Sequence, residues 1–80
     1  ENNSFFELKS KDIARLKTVL DQQSFVENTI EEDGKLLVYL KQDIAAQDLN
    51  SYLFEQNIIL EHLVKRKNSL EEQFLELTKN

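Results

Sequence analysis

The chain predicts an α+β fold, in which two helices pack on one face of a four-stranded sheet and a further helix follows at the C-terminus. Three observations carry this. Apolar residues switch between alternating and helical spacing in the order strand, helix, strand, strand, helix, strand, helix. Asp33-Gly34 separates two strand-like runs and is a strong hairpin signal. The run Lys35 to Lys41 (KLLVYLK) is apolar on both faces, which places it inside a sheet covered on both sides.

The elements follow in order. Ser4 to Lys9 (SFFELK) reads as a first strand interrupted by Glu7. Ser10 then reads as a helix N-cap, with Asp12 in a first turn that favours negative charge. Ile13, Leu16 and Leu20, with Val19 beside them, make the apolar stripe of a helix over 11–21, and Lys11, Arg15 and Lys17 face out. A second strand over 25–32 places Val26 and Ile30 on one face. Gly34 supplies a positive φ without a Cβ clash, and Asp33 tolerates the left-handed region. The third strand spans 35–41. A helix over 44–56 follows from Ala45, Leu49 and Leu53, with Asn57 as its left-handed C-terminal residue. Ile58 to Lys65 (IILEHLVK) is a fourth strand. Ser69-Leu70-Glu71-Glu72 fits a capping box, with Ser69 as N-cap and Glu72 reaching back. Leu70, Phe74 and Leu77, with Leu75 adjacent, stripe a last helix over 69–79.

This order is a split βαβ pair, the ferredoxin-like arrangement, with one added C-terminal helix. Its first and third strands are central and its two helices share one face. The last helix is the expected cover for the other. The 80 residues form one small domain. A start at Glu1 without Met reads as the C-terminal piece of a longer chain.

Composition argues against chemistry. The chain has no Cys, which removes disulfides, thiolate zinc sites and thiol nucleophiles. Its single Gly cannot build a phosphate-cradling loop, and its single His lacks a second imidazole or thiolate for a metal site. A net charge of −5 disfavours nucleic acid and anionic lipid as partners. Apolar runs are far shorter than the ~18 residues that span a bilayer, so direct membrane insertion is not expected. No catalytic residue, cofactor-binding residue or metal ligand is assigned.

Several residues carry a choice between function and packing. Glu31, Glu32 and Asp33 are carboxylates at a hairpin tip, where acids keep a sheet edge soluble, and they lack the spacing of a calcium loop. His62 reads as a structural histidine between Leu60 and Val64. Lys65, Arg66 and Lys67 form the only basic cluster and are the candidate contact surface for a phosphate, an RNA backbone or an acidic partner. Their simpler role is protection of an edge strand. Phe5, Phe6, Phe25, Phe54 and Phe74 read as core. Tyr39 is the only aromatic of the third strand, which is too few for stacking RNA bases.

The stretch Ser69 to Thr78 (SLEEQFLELT), preceded by His62 to Asn68 (HLVKRKN), resembles the end of bacterial ABC transporter ATP-binding subunits. Many of these close on Ser/Thr-Leu-Glu-x-x-Phe-Leu-x-Leu-Thr, matched here by Ser69, Leu70, Glu71, Phe74, Leu75, Leu77 and Thr78. The likeness extends upstream to the hairpin at Gly34 and to Asn57-Ile58, where relatives often carry Gly-Ile. It implies a C-terminal accessory or regulatory domain acting by protein contacts. Its partners would be its own nucleotide-binding domain, that domain's dimer mate and, indirectly, the membrane-spanning permease subunit. The parent chain would bind ATP and Mg²⁺ and hydrolyse ATP to drive export, at the cytoplasmic face of the membrane. Walker A and B motifs, the LSGGQ-like signature and the switch His are all missing from this stretch, so no ATPase residue carries over. Two other readings share the scaffold. An ACT-like ligand sensor would bind amino acids near Ser10 to Asp12, where the usual Gly is missing. An acylphosphatase-like enzyme would need an Arg after the first strand, where Lys9-Ser10-Lys11 stands. A homodimer through either edge strand is compatible with the pattern.

Overall fold

A computed structural model describes residues 4–67. The elements are β1 (Ser4–Ser10), α1 (Ile13–Asp21), β2 (Val26–Glu32), β3 (Lys35–Leu40), α2 (Ala46–Glu55) and β4 (Leu60–Lys67). The four strands form one antiparallel sheet in the order β2-β3-β1-β4. β1 and β3 are therefore inner strands and β2 and β4 are edges. The helix expected over 69–79, with Ser69, Leu70, Glu72, Phe74, Leu75 and Leu77, lies outside the described residues.

Strand alternation decides what is buried. Phe6 and Leu8 of β1 and Leu36 and Val38 of β3 point to one face and are fully buried. Leu16 and Leu20 of α1 and Leu49 and Leu53 of α2 meet them there, so both helices cover that face in a single core. Burying such a side chain is worth roughly 1.5–3 kcal/mol, so these residues dominate the stability of a domain this small.

The connections are set by local chemistry. Asp33 and Gly34 have φ of 53° and 75°, the mirror-image turn that matches the twist of a hairpin. Asn57 takes φ of 64°, and the Ile58 amide closes α2 by donating to the Leu53 carbonyl at 2.9 Å.

Four expectations are corrected. Asp12, not Ser10, caps α1: its Oδ1 accepts from the Arg15 amide at 3.1 Å, while Ser10 stays in β1 paired with Leu60. Ile30 does not share a face with Val26. A bulge between Val26 and Asn28 inserts one residue, so Val26 is buried opposite Leu40 while Ile30 pairs with Leu37 and is 43% exposed. Phe54 is 67% exposed, because Leu49 and Leu53 already take the inward face of α2. β4 starts at Leu60 and runs through Lys67, since Asn57 and Ile58 serve to end the helix.

Candidate functional site

The side chains opposite the helices converge on Glu7. On that second face β1 presents Phe5, Glu7 and Lys9, and β3 presents Lys35, Leu37 and Tyr39. β4 adds His62, Val64 and Arg66. Phe5 and Tyr39 stack across the two inner strands with ring centroids 5.0 Å apart and planes 26° from parallel. Among the described residues no helix covers this face.

Glu7 lies at its centre with a side chain only 11% exposed. A carboxylate on an inner strand loses water on both sides and needs partners. Two cations and an imidazole supply them. Arg66 Nε donates to Glu7 Oε1 at 2.9 Å, His62 Nε2 lies 2.9 Å from Oε2, and Lys35 Nζ donates to Oε2 at 3.3 Å. The Arg66 hydrogen bond, followed by that of His62, outweighs the loss of hydration and holds the Glu7 pKa down to about 2. A carboxylate so held stays ionised near neutral pH and is poorly matched to proton transfer. Its chemical role is to fix Arg66, Lys35 and the His62 ring among apolar neighbours.

A second polar cluster ties α1 to β2. Thr29 is nearly buried, donates to Asp21 Oδ1 at 2.6 Å and accepts from Lys17 Nζ at 2.7 Å. The Thr29 hydroxyl, with Lys17 assisting, lowers the Asp21 pKa. At the far end of β1, a groove of about 320 Å³ lies between the start of α1 and the α2–β4 connection. Ser10, Lys11, Asp12 and Arg15 line one side, and Asn57, Ile58, Ile59 and Glu61 the other. Arg15 Nη2 donates to the Gln56 carbonyl at 2.7 Å, which fixes one wall against the other.

The residues singled out in the sequence fall as follows. His62 does have a partner, Glu7. The basic run does not form one patch, because alternation along β4 splits it. Arg66 reaches Glu7, whereas Lys65 turns to the helix face, bonds the Ile44 carbonyl at 2.8 Å and Asp43 at 2.7 Å, and sits over the Phe6 ring. Lys67 is exposed at the end of the edge strand. Glu32 and Asp33 border a hollow of about 170 Å³ with Phe5, Glu7, Lys35 and Leu37. No cluster of three or more metal-ligating side chains occurs among the described residues. Ser69, Leu70, Glu72, Phe74, Leu75 and Leu77 lie outside them. Glu7 is the site residue that sequence reasoning passed over. The available signal was an acid inside an apolar strand that the element order makes central.

Comparison with known proteins returned no matching family model, no matching curated protein and no matching solved structure. No helix among the described residues is long and apolar enough to cross a membrane.

Proposed function

We propose that this chain is a ferredoxin-like accessory domain with an added C-terminal helix, acting by protein contact and not by chemistry. It would serve an ABC transporter ATP-binding subunit, regulating or supporting that subunit. The observation that carries the contact reading is the second sheet face. It presents Phe5, Leu37, Tyr39 and Val64 around an ion-paired carboxylate, a mixture of aromatic, aliphatic and guanidinium groups suited to being covered by protein. The strand order β2-β3-β1-β4, with two helices on one face, supports the ferredoxin-like reading. The transporter assignment rests on the resemblance of Ser69 to Thr78 to the closing motif of those subunits.

On this reading ATP and Mg²⁺ belong to the parent chain. The domain meets its own nucleotide-binding domain and that domain's dimer mate, and it reaches the inner membrane face only through the transporter complex. The test is to express the parent chain with and without residues 1–80 and compare ATP turnover and dimerisation. A change in either supports an accessory role. Unchanged turnover and unchanged dimerisation overturn it.

The groove beside Ser10 to Asp12 favours a second reading, an ACT-like sensor. Lys11 and Arg15 offer cations and Asp12 and Glu61 offer acids around Ile58, a set matched to a zwitterion. A thermal shift with free amino acids would support it, and no shift across the set would remove it.

A further inference from the structure

We propose that β4 is a self-association edge. Two copies of this chain pair antiparallel along it, about a two-fold axis at Val64, and join their four-stranded sheets into one of eight strands. The inference goes beyond the accessory-domain reading and leaves the second sheet face to a partner of another kind.

Among the described residues the sheet ends in two edges, β2 and β4, each with a row of backbone groups that no neighbouring strand pairs. Their side chains tell them apart. β2 exposes Glu27, Glu31 and Glu32 and is bulged between Val26 and Asn28. Pairing β2 with a second β2 about Thr29 would set Glu27 against Glu31 twice over, and like charges facing across strands destabilise. β2 therefore repels its own copy.

β4 is built the other way. Its bulge lies at its start, where Glu61 is the extra residue between the pairs Ser10–Leu60 and Lys9–His62, so His62 to Lys67 run in regular register with β1. At its centre Leu63 and Val64 are only half-buried, which leaves apolar surface on the edge for a second strand to cover.

The charges of β4 are self-complementary once those engaged inside the domain are set aside. Lys65 is held by Asp43 and the Ile44 carbonyl, and Arg66 by Glu7. Glu61 and Lys67 are left, both exposed and without an ion pair among the described residues. Alternation from Leu63 through Lys65 puts both on the helix side of the sheet. A two-fold axis at Val64 then sets Glu61 opposite Lys67 of the second copy and Lys67 opposite its Glu61. The same axis lays Val64 against Val64 and Leu63 beside the aliphatic stem of Lys65. Such a contact closes at two copies.

The test is sedimentation equilibrium of the 80-residue chain over a range of concentrations. The average mass should rise from that of one chain towards that of two. Each single reversal, Glu61→Lys or Lys67→Glu, puts like charges at both ends of the ladder and should weaken association roughly tenfold. The double reversal restores opposite pairs and should recover most of the loss. Both positions are exposed, so circular dichroism spectra should not change. In the native chain, amides of β4 and not of β2 should exchange more slowly as concentration rises. A single-chain mass up to the highest soluble concentration would overturn the proposal. So would a dimer indifferent to both reversals, or one whose slowed amides lie in β2. A mass climbing past two chains would overturn it as well, because acidic β2 edges would then be joining β4 edges head to tail.

Discussion

Arg66 donates to Glu7 across β1 and β4 at 2.9 Å, although the register pairs Glu7 with Val64 and Arg66 with Phe5. The two are diagonal neighbours, within reach of a long side chain. This diagonal is why an ion pair and an aromatic stack fit side by side: Arg66 leaves Phe5 free to lie against Tyr39.

The first expectation concerns acid. The Glu7 pKa falls from 4.5 to about 2 on folding, so the folded state binds this proton less readily than the unfolded chain. The stability it contributes is present above pH 4.5 and is lost as pH falls from there towards 2. Denaturant midpoints of the native chain and Glu7→Gln should differ most near neutral pH and converge over that window. Parallel profiles would show that Glu7 is not the acid-sensitive group.

Thr29→Val is expected to cost about 1 kcal/mol, the net worth of a hydrogen bond. It removes the donor that lowers the Asp21 pKa, so that pKa should rise in a carboxyl titration. An unmoved Asp21 would place the cause elsewhere.

Leu49→Ala and Phe54→Ala should behave oppositely to their size. Leu49 is fully buried and its truncation should cost 2–5 kcal/mol, whereas Phe54 is 67% exposed and its truncation should stay within about 0.5 kcal/mol. Equilibrium unfolding of both variants checks this.

That contrast shows what was legible in the sequence and what was not. Local signals were readable. Asp33-Gly34 and Asn57 take positive φ as their residue types suggested, and the strands and helices follow in the expected order through Lys67. Three features resisted because they depend on the assembled sheet. The bulge after Val26 has no composition signature, so Ile30 fell on the wrong face. Phe54 looked like core because hydrophobicity alone does not say which of two adjacent helical positions points inward. The Glu7 cluster joins three strands, with partners 28, 55 and 59 residues away, so no local window contains it.

Gly34→Ala should cost about 1–2 kcal/mol through backbone strain alone, since φ is 75° and a Cβ there would meet nothing within 4 Å. Gly34→Asn should recover part of it, because Asn tolerates the left-handed region. Equal losses in both variants, measured by thermal unfolding, would point instead to a missing contact.

The most direct measurement of the central claim is to read the coding sequence continuous with Glu1. The accessory-domain account expects a G-x-x-x-x-G-K-[ST] loop after a strand-like run, with an LSGGQ-like signature downstream of it. A continuous reading frame without these motifs would contradict the transporter assignment. The second sheet face would then have to be explained as the contact surface of a different kind of protein.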